Sequence, residues 1–365
     1  MRMTDKTYRV IQWATGKVGT IALRHFIENP IFELAGVLVT DASKAGKDAG
    51  EIAGTGSTGI LATDDVETII ATRADCVHFA PARQDIEMVC RLLRSGKNVV
   101  SALGPFYPTD RCRADLEAIE AACRDGATSF HGFGIHPGFA GDILPLTLMR
   151  VMERVDHIHI YEVVDQLANP SNYIEIMGFG RDCEELLASP SRQPEAPYFF
   201  AQSMALVAES MGRTIDNLTT KLEVVSAKRD IPYPGGVVKA GTVAGQHYEW
   251  TGWYRGAPLI TYHFYWKMGD QDLSEKWSCG DTGYRIVIEG NPPMELTMPE
   301  PKTTEGGVRY ISLWTAMAGV NAIPALCEAP PGFASHRELG VFGPQGLTGR
   351  RPAQSGTFSS PELEP

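Results

Sequence analysis

Residues 8–19 read YRVIQWATGKVG: six strand-forming residues run directly into a turn of small residues. The residues after the turn, from Thr20 to Glu28, repeat apolar side chains at helical spacing. Asn29-Pro30 then ends the predicted helix, because proline cannot donate the backbone hydrogen bond that a helix interior needs. The start of the chain therefore predicts a strand, a tight turn and a helix in succession.

The turn itself reads Ala14-Thr15-Gly16-Lys17-Val18-Gly19, which follows the GxGxxG pattern of dinucleotide-binding loops with alanine in the first position. In that pattern Gly16 lets the backbone approach a pyrophosphate, and Gly19 lets the helix pack against the strand. We expect the alanine to be tolerated if position 14 does not need a positive φ. The diphosphate should then lie at the helix N-terminus, where free N–H groups favour an anion. A glycine-rich turn with a packing role alone is the alternative.

The order of the predicted elements gives the fold class. FELAGVLVT at 32–40 is a near-continuous apolar run, typical of a strand buried on both faces of a parallel sheet. Strands and helices alternate from there to about residue 132, which predicts an α/β Rossmann fold with a doubly wound parallel sheet. From about residue 144 apolar and polar residues alternate with period two, which predicts an α+β domain with antiparallel strands.

These patterns divide the chain into two domains and a tail. Residues 1–143 are predicted to form the NAD(P)-binding Rossmann domain, and residues 144–310 the substrate-binding domain. Residues 311–350 begin with a helix predicted over 311–320, and we expect this segment to pack back onto the first domain. Residues 351–365 are rich in Pro, Ser and Gly and are predicted to be a flexible tail.

Composition limits the partners and the compartment. The formal net charge of −11 repels phosphate backbones, so we expect no nucleic-acid partner. The seven cysteines are odd in number and include no CxxC pair, which predicts free thiols in a reducing compartment. We see no leader sequence and no apolar stretch long enough to cross a bilayer, and therefore expect a cytoplasmic protein with no membrane partner.

Loops that follow the other predicted strands complete the cofactor site. Asp41 stands where a carboxylate accepts hydrogen bonds from the adenosine ribose of NAD, although an aspartate here also suits a turn cap. Ser43 and Lys44 follow at once and suit the 2′-phosphate of NADP, so the cofactor is predicted as NAD(P) without a choice between the two. Four residues that end two further strands are expected to line the nicotinamide side: Ala80, Pro81, Ser101 and Ala102.

Seven segments together carry a family resemblance: VIQWATGKVGTIALRHF at 10–26, AGKDAGEIAG at 45–54, GKNVVSA at 96–102, FHGFGIHPGFAGDILPLTL at 130–148, NYIEIMGFG at 172–180, VAGQHYEWTGWYRGAPLI at 243–260 and NAIPALCEAPPG at 321–332. From about residue 8 to 335 the chain resembles the dihydrodipicolinate-reductase-like superfamily, closest to the branch of 2,4-diaminopentanoate dehydrogenase and the native amine dehydrogenases. The resemblance implies a substrate domain with an open mixed sheet that also makes a homodimer. It also implies hydride transfer between nicotinamide and a C=N or C=O carbon of a small to medium, partly apolar substrate.

Two departures from the family bear on the chemistry. The EIHHxxKxDxPSG signature of the lysine-pathway reductases is missing, which argues against that reaction. The amine-dehydrogenase branch places a glutamate after the fourth strand, just before Tyr-Pro, whereas residues 103–108 read LGPFYP here, with no carboxylate. A carbonyl/alcohol dehydrogenase that works without ammonia, and a dinucleotide-binding protein that has lost catalysis, are therefore kept as alternatives to the amine reaction.

Hydride transfer to such a carbon requires a proton donor nearby. The family loop GxNPGF reads GIHPGF at 134–139, so His136 replaces an asparagine and can move a proton near neutral pH. A histidine that only caps the turn before Pro137 is the alternative. Three residues are predicted to be catalytic: His136, Tyr173 and Tyr107. Four are predicted to line the substrate pocket: Gly134, Phe139, Glu175 and Met177. Asp142 is predicted to cap the helix that begins near Ile143.

Two further clusters stand out in the second half of the chain. His157 and His159 share one face of a predicted strand, but no third ligand is evident near them, and we therefore predict no metal. A run of aromatic residues is predicted to form sheet core and dimer contacts rather than a substrate wall: Tyr248, Trp250, Trp253, Tyr254, Tyr262, Phe264, Tyr265 and Trp266.

Overall fold

The computed structural model describes residues 6–169, 173–188, 196–301 and 309–346. Its strands in chain order are β1 Tyr8–Trp13, β2 Phe32–Leu38, β3 Cys76–Phe79, β4 Asn98–Ser101, β5 Ser129–Gly132, β6 Arg154–Asp165, β7 Asn217–Ser226, β8 Ile231–Tyr233, β9 Gly236–Val238, β10 Val243–Tyr254, β11 Ala257–Lys267, β12 Gly283–Asn291, β13 Met294–Pro299 and β14 Gly332–Phe333. Its helices are α1 Lys17–Glu28, α2 Ala49–Ala53, α3 Val66–Ala71, α4 Ile86–Arg94, α5 Arg113–Gly126, α6 Leu144–Met149, α7 Tyr173–Ile176, α8 Cys183–Ala188, α9 Ala196–Ser210, α10 Tyr310–Glu328 and α11 His336–Leu339.

The first sheet is made of six parallel strands in the order β14-β5-β4-β3-β1-β2. Its strands are apolar on both faces because helices cover both sides, as the fully buried Ile11 on one face and Val10 and Val100 on the other show. The chain goes from β1 to β2 on one side and then to β3 on the other. This reversal opens a crevice at the carboxyl ends of β1 and β3, where such sheets bind ligands. The predicted α/β Rossmann fold is confirmed.

The second sheet is mixed, with the order β13-β12-β6-β11-β10-β7. β6 pairs in parallel with β11, and the other neighbouring strands are antiparallel. One face is apolar and is covered by α6 and α9, so that Ile160, Trp250 and Tyr262 are almost fully buried. The opposite face carries polar and aromatic side chains. The predicted α+β domain with an open mixed sheet is likewise confirmed.

The C-terminal segment returns to the first sheet. β14 lies beside β5 as the edge strand, and α10 packs against α1 and β4. The sequence predicted that this helix leads into Asn321 and Pro324, but it continues through Pro324 to Glu328. The core around it is the reason: Pro324 and its neighbours are buried there, and this packing outweighs the hydrogen bond that proline cannot donate.

The same helix corrects the expectation that no stretch is long enough to cross a bilayer. α10 has 19 residues and a mean hydropathy of 1.3, which satisfies the length and composition of a membrane span. Its fully buried Ala316, Val320, Ile323 and Leu326, however, belong to the core under the first sheet. That position favours a core helix.

The remaining differences from the sequence prediction are small. α1 begins at Lys17 rather than Thr20, and β2 ends at Leu38 rather than Thr40. The seven cysteines all lie in the described ranges and are free thiols. The predicted tail at 351–365 lies outside the described residues.

Candidate active site

The turn after β1 is shaped to receive a diphosphate. Gly16 is the N-cap residue of α1, and no described side chain caps this end of the helix. A Cβ built on Gly16 would meet no described atom within 4 Å. The first-turn N–H groups have no partners within the helix, and together with this open space they fit an anion at the N-terminus.

Gly19 has the packing role that the fingerprint assigns to its third glycine. A Cβ at this position would lie 2.1 Å from the Ala14 carbonyl oxygen and 2.8 Å from Gln12 Nε2. The buried Gln12 amide donates to the same Ala14 oxygen over 2.8 Å. Glycine is therefore required here for the helix to approach the end of β1.

Ala14 corrects one expectation about this loop. Its φ is +67°, so the position does need the left-handed conformation that alanine adopts only at a cost of about 1–2 kcal/mol. Its N–H donates to the Leu38 carbonyl over 2.9 Å, and its own carbonyl accepts from Gln12, so hydrogen bonds hold the strained turn. The loop keeps the shape of a GxGxxG turn without its first glycine.

Ala14→Gly is expected to stabilise the fold by up to about 1 kcal/mol, since relief of the left-handed strain outweighs the extra entropy of glycine in the unfolded chain. Urea unfolding followed by circular dichroism measures the change. Ala127→Gly is the matched comparison, because Ala127 has a φ of +52° at the end of α5, outside the cofactor loop, and should gain a similar amount. A loss of stability on Ala14→Gly would contradict the strain argument.

The ribose end of the crevice carries both the carboxylate predicted for NAD and the cation predicted for NADP. Asp41 Oδ1 accepts from the Ser43 N–H over 3.0 Å and from the Ser43 hydroxyl over 2.7 Å, so Asp41 does cap the short turn Ala42–Lys44. These hydrogen bonds hold the pKa of the Asp41 carboxyl below its usual value. Lys44 Nζ donates to the Thr15 carbonyl over 2.9 Å and so lies across the cofactor loop. A carboxylate and a cation thus flank the same site.

The two strand ends predicted to line the nicotinamide side lie at the same sheet edge. The Ala80 N–H donates to the Trp13 carbonyl over 3.1 Å, and the Ala102 N–H donates to the Phe79 carbonyl over 3.0 Å. β3 and β4 are successive neighbours of β1, so Pro81 and Ser101 flank the crevice beside the cofactor loop.

His136 is enclosed rather than open to the crevice. Its side chain is 0% exposed, and its ring stacks on Phe264 with centroids 5.1 Å apart. Phe200 and Tyr262 meet the same ring edge to face at 5.0 and 4.9 Å. In this conformation the ring is closed off from solvent, and its described side-chain polar contact is with Glu162.

Glu162 on β6 is the functional candidate that the sequence reasoning missed. Its Oε2 lies 3.1 Å from His136 Nδ1, and its Oε1 accepts from Trp266 Nε1 over 3.1 Å. Its side chain retains 11% exposure. The signal was present in the strand pattern: with period two, Glu162 falls on the inward face together with Ile158 and Ile160, where an acid is out of place.

Surrounding groups keep this carboxylate in a low-dielectric setting. Tyr284 is fully buried beside it, and burial, followed by the charge of Glu162, raises the pKa of the Tyr284 phenol well above its usual value. His136 Nε2 is buried and has no hydrogen-bond partner among the described residues. Because a carboxylate only accepts hydrogen bonds, Nδ1 of His136 carries the hydrogen in the contact with Glu162.

The strand that carries Glu162 also reaches the cofactor loop. Past the end of β6, Asn169 Oδ1 accepts from Lys17 Nζ over 2.6 Å, and Lys17 is the first residue of α1. Burial and the charge of Arg309 lower the pKa of the Lys17 ammonium. β6 therefore connects the inner carboxylate to the diphosphate end of the crevice.

Tyr107 lies apart from the pair formed by His136 and Glu162. Its hydroxyl donates to Glu209 Oε2 over 2.6 Å and accepts from Arg337 Nη1 over 3.1 Å. Burial and the contact with Glu209 raise the pKa of this phenol. Among the described contacts Tyr107 ties three separate segments together rather than facing the crevice.

The other predicted site residues are placed as follows. Tyr173 begins α7, but its side chain lies outside the described residues. Glu175 is exposed, and the Met177 carbonyl accepts from Gln246 Nε2 over 3.0 Å. Phe139 is 36% exposed. Gly134 can only be glycine, because a Cβ there would lie 2.4 Å from the Pro137 carbonyl oxygen.

Asp142 is not the helix cap that the sequence predicted. The N-cap residue of α6 is Ile143, and no described side chain caps it. Asp142 is fully buried and accepts from the Ser203 hydroxyl on α9, and burial raises the pKa of its carboxyl. The partner is 61 residues away along the chain, so local cap patterns could not reveal it.

The reasoning behind the prediction of no metal also needs correction. β12 pairs with β6 so that Glu289 lies opposite His157. The donor atoms of His157, His159 and Glu289 lie within 4.8 Å of one another, which supplies the third ligand that the sequence did not show.

Comparisons with known proteins agree with this architecture. Residues 139–353 match the family model of the 2,4-diaminopentanoate dehydrogenase C-terminal domain, and residues 10–124 match that of the dihydrodipicolinate reductase N-terminus. The chain is 29% identical to an amine dehydrogenase of Streptomyces virginiae over 364 residues, which covers 93% of this chain and 98% of that protein. It is 23% identical to a 4-hydroxy-tetrahydrodipicolinate reductase of Hahella chejuensis over 238 residues, 64% of this chain and 78% of that protein.

Solved structures share the fold. The structure of an amine dehydrogenase from Mycobacterium smegmatis superposes with a TM-score of 0.77 at 18% identity, over 95% of this chain and all (100%) of that one. A probable dehydrogenase from Thermotoga maritima gives a TM-score of 0.53 at 13% identity, over 91% of this chain and 92% of that one. Both likenesses bear on the arrangement of the two domains alone.

Proposed function

The chain belongs to the family of the 2,4-diaminopentanoate dehydrogenase C-terminal domain, and on that premise we propose that it interconverts an amine and a carbonyl compound with ammonia. It is an NAD(P)-dependent oxidoreductase that acts on a small molecule. The bound nicotinamide supplies or accepts the hydride at the C=N carbon. The loop at 14–19 holds the diphosphate, with Lys44 and Asp41 at the ribose end.

The observation that carries the proposal is the carboxylate of Glu162. An amine reaction needs a group that holds ammonia as a cation and moves its proton, which a carboxylate does by accepting charge-assisted hydrogen bonds. The family glutamate is missing from the segment LGPFYP at 103–108. Glu162 offers a carboxylate from β6 instead, which supports the amine reaction over its alternatives.

The neighbours of Glu162 orient it for this role. Trp266 Nε1 fixes Oε1 and His136 Nδ1 fixes Oε2, both over 3.1 Å. The buried Tyr284 phenol is a third hydrogen-bonding neighbour of Glu162, and a carboxylate has about four acceptor positions, so about one remains for a substrate nitrogen. We therefore assign His136 as a positioning residue that acts through Glu162, in place of the direct proton donor that the sequence suggested.

The proposals for the substrate pocket, the domain division, the oligomeric state and the compartment rest on the family resemblance and on the packing. We propose a substrate pocket between the junction loop, defined as Ile135–Ile143, and α7, with Phe139 as an apolar wall that helps to exclude water. We propose further that residues 1–143 and 311–350 form the cofactor domain, and that the protein is a cytoplasmic homodimer built through residues 144–310. Light scattering after size exclusion tests the dimer.

Ammonium dependence is the expected signature of the amine reaction. Oxidation of NADH or NADPH should proceed with a small to medium, partly apolar ketone when ammonium is present, and should fall at least tenfold when it is omitted. The measurement is the loss of absorbance at the nicotinamide band across a ketone panel. Equal rates without ammonium would instead establish the carbonyl/alcohol reaction. If NAD(P)H binds but no ketone is reduced with or without ammonium, the protein would be a dinucleotide-binding protein that has lost catalysis.

A further inference from the structure

The open face of the second sheet carries histidines and carboxylates that the proposed reaction does not use. Three of them, which we call the β10–β11 triad, are His247 and Glu249 on β10 and His263 on β11. Glu249 lies directly opposite His263 in the antiparallel pair, and His247 is two residues earlier on the same face. The strand pairing thus fixes these three side chains as neighbours.

We propose that His247, Glu249 and His263 bind one divalent transition-metal ion of the zinc type. One donor atom from each residue lies within 4.8 Å of the other two, and His263 Nδ1 is 3.7 Å from Glu249 Oε2. In a tetrahedral zinc site with bonds of about 2.0–2.1 Å, neighbouring donors are roughly 3.3–3.5 Å apart. The donor atoms therefore need to approach one another by at most about 1.5 Å to reach coordination geometry, with a fourth position open.

His247 has the surroundings of a metal-binding histidine. Its side chain is only 8% exposed, and its Nδ1 lies 3.3 Å from Glu223 Oε2 on β7. Its Nε2 is buried and finds no hydrogen-bond partner among the described residues. Histidines that bind zinc commonly donate their other ring nitrogen to a carboxylate, which orients the ring and raises its basicity. Glu223 fits that role, and Nε2 is the atom left to bind.

His263 is held in the same manner from its other side. Its Nε2 lies 3.2 Å from His159 Nδ1, which leaves Nδ1 facing Glu249. Aromatic rings fix both imidazoles: Tyr265 stacks on His247 with centroids 3.9 Å apart, and Tyr161 stacks on His263 at 4.4 Å. The donor set is therefore preorganised before any ion arrives, which reduces the entropy lost on binding.

Both rings are available to a metal at neutral pH. Burial, followed by the charges of neighbouring histidines, lowers the pKa of His263 to about 3. Burial also lowers the pKa of His247, against the opposing effect of Glu223. A metal ion needs neutral imidazole, and burial favours the neutral form of both rings.

The contact between His159 and His263 limits the site to one ion per chain. His159 also belongs to the neighbouring group with His157 and Glu289. In their hydrogen bond, one of the two neutral rings donates a proton and the other accepts it. The donating ring has a free lone pair on its other nitrogen, whereas the accepting ring carries its own hydrogen there, so only one of the two rings can bind a metal. The β10–β11 triad is the better candidate, because the side chain of Glu249 is 34% exposed whereas that of Glu289 is 62% exposed.

The test is a titration of the full-length protein, freed of metal by a chelator, with Zn²⁺ in a calorimeter and with Co²⁺ in a visible spectrometer. We expect one ion per chain and the absorption bands of tetrahedral Co²⁺. His263→Gln and Glu249→Gln should each weaken Zn²⁺ binding by about 100-fold or more, and Glu223→Gln by about 10- to 100-fold. His157→Gln is the matched control on the neighbouring group and should change the affinity less than about threefold.

Unchanged NAD(P)H binding in each variant shows that the variants are folded, and the metal readout does not depend on turnover. The absence of saturable Zn²⁺ or Co²⁺ binding would overturn the proposal. So would a reversed pattern, in which His157→Gln abolishes binding and both triad variants retain it, because the ion would then belong to the neighbouring group.

Discussion

Replacing Glu162 with glutamine is expected to lower kcat by about 10²- to 10⁴-fold, the range that a positioned acid–base group contributes. The amide has nearly the same shape and can still accept from Trp266, so the fold should persist. It carries no charge to hold ammonium and cannot take up a proton near neutral pH. Steady-state rates with saturating ketone, ammonium and NAD(P)H measure the loss, and NAD(P)H affinity should stay within about threefold because the cofactor loop is untouched.

Three further variants sharpen this prediction. Glu295→Gln makes the same change on the same sheet, at a side chain that is 54% exposed and pairs with Arg285, and should leave kcat unaltered. His136→Asn should lower kcat less than Glu162→Gln does, and it should shift the pH profile of kcat, because His136 acts through the Glu162 carboxylate. Tyr107→Phe tests whether Tyr107, which the sequence predicted to be catalytic, is the proton donor instead of Glu162. A loss as large as that of Glu162→Gln would move the proton donor to Tyr107, and an active Glu162→Gln enzyme would remove Glu162 from the chemistry.

Gly19→Ala is expected to destabilise the fold by about 3 kcal/mol or more, at the upper end of overpacking effects. Its methyl carbon would start 2.1 Å from the Ala14 carbonyl oxygen, and that oxygen is held by the buried Gln12 amide. α1 must then move away from β1, and the N–H groups that face the diphosphate move with it. Urea unfolding measures the stability, and NAD(P)H fluorescence titration measures the cofactor affinity.

Gly16→Ala is the matched control three residues earlier. Its Cβ meets no described atom within 4 Å, so the stability should change by no more than about 1 kcal/mol. NAD(P)H affinity should nevertheless fall at least tenfold, because the methyl group stands where the diphosphate must approach. If Gly19→Ala proved as stable as Gly16→Ala, the packing role of Gly19 would be wrong. If Gly16→Ala bound cofactor like the unaltered protein, the loop at 14–19 would not be the diphosphate site.

The architecture was largely predictable because its signals are local. The turn at 14–19, the apolar run at 32–40 and the alternation with period two after residue 144 each report on a few neighbouring residues. The order of the second sheet was not predictable in the same way. β6 lies between β11 and β12, more than 90 residues away in the sequence, and no local pattern specifies such neighbours.

The candidate site was predicted less completely for the same physical reason. The sequence drew attention to His136, but its contact Glu162 comes from β6 in the second sheet, and the aromatic rings that enclose it come from α9 and β11. The conformation of Ala14 depends on hydrogen bonds to Leu38 and Gln12, so its identity alone did not show that φ is positive. Long-range contacts decided each of these points.

The return of α10 and β14 to the first sheet has a consequence for biosynthesis. While the ribosome is still making the second domain, β5 is an unpaired edge strand, and the apolar surface around Val10, Phe26 and Val100 lacks its cover. The N-terminal half therefore cannot reach its final state as it emerges, and depends on residues translated about 200 positions after β5. A chain truncated before residue 310 is therefore expected to be insoluble, because this apolar surface and the edge of β5 stay uncovered.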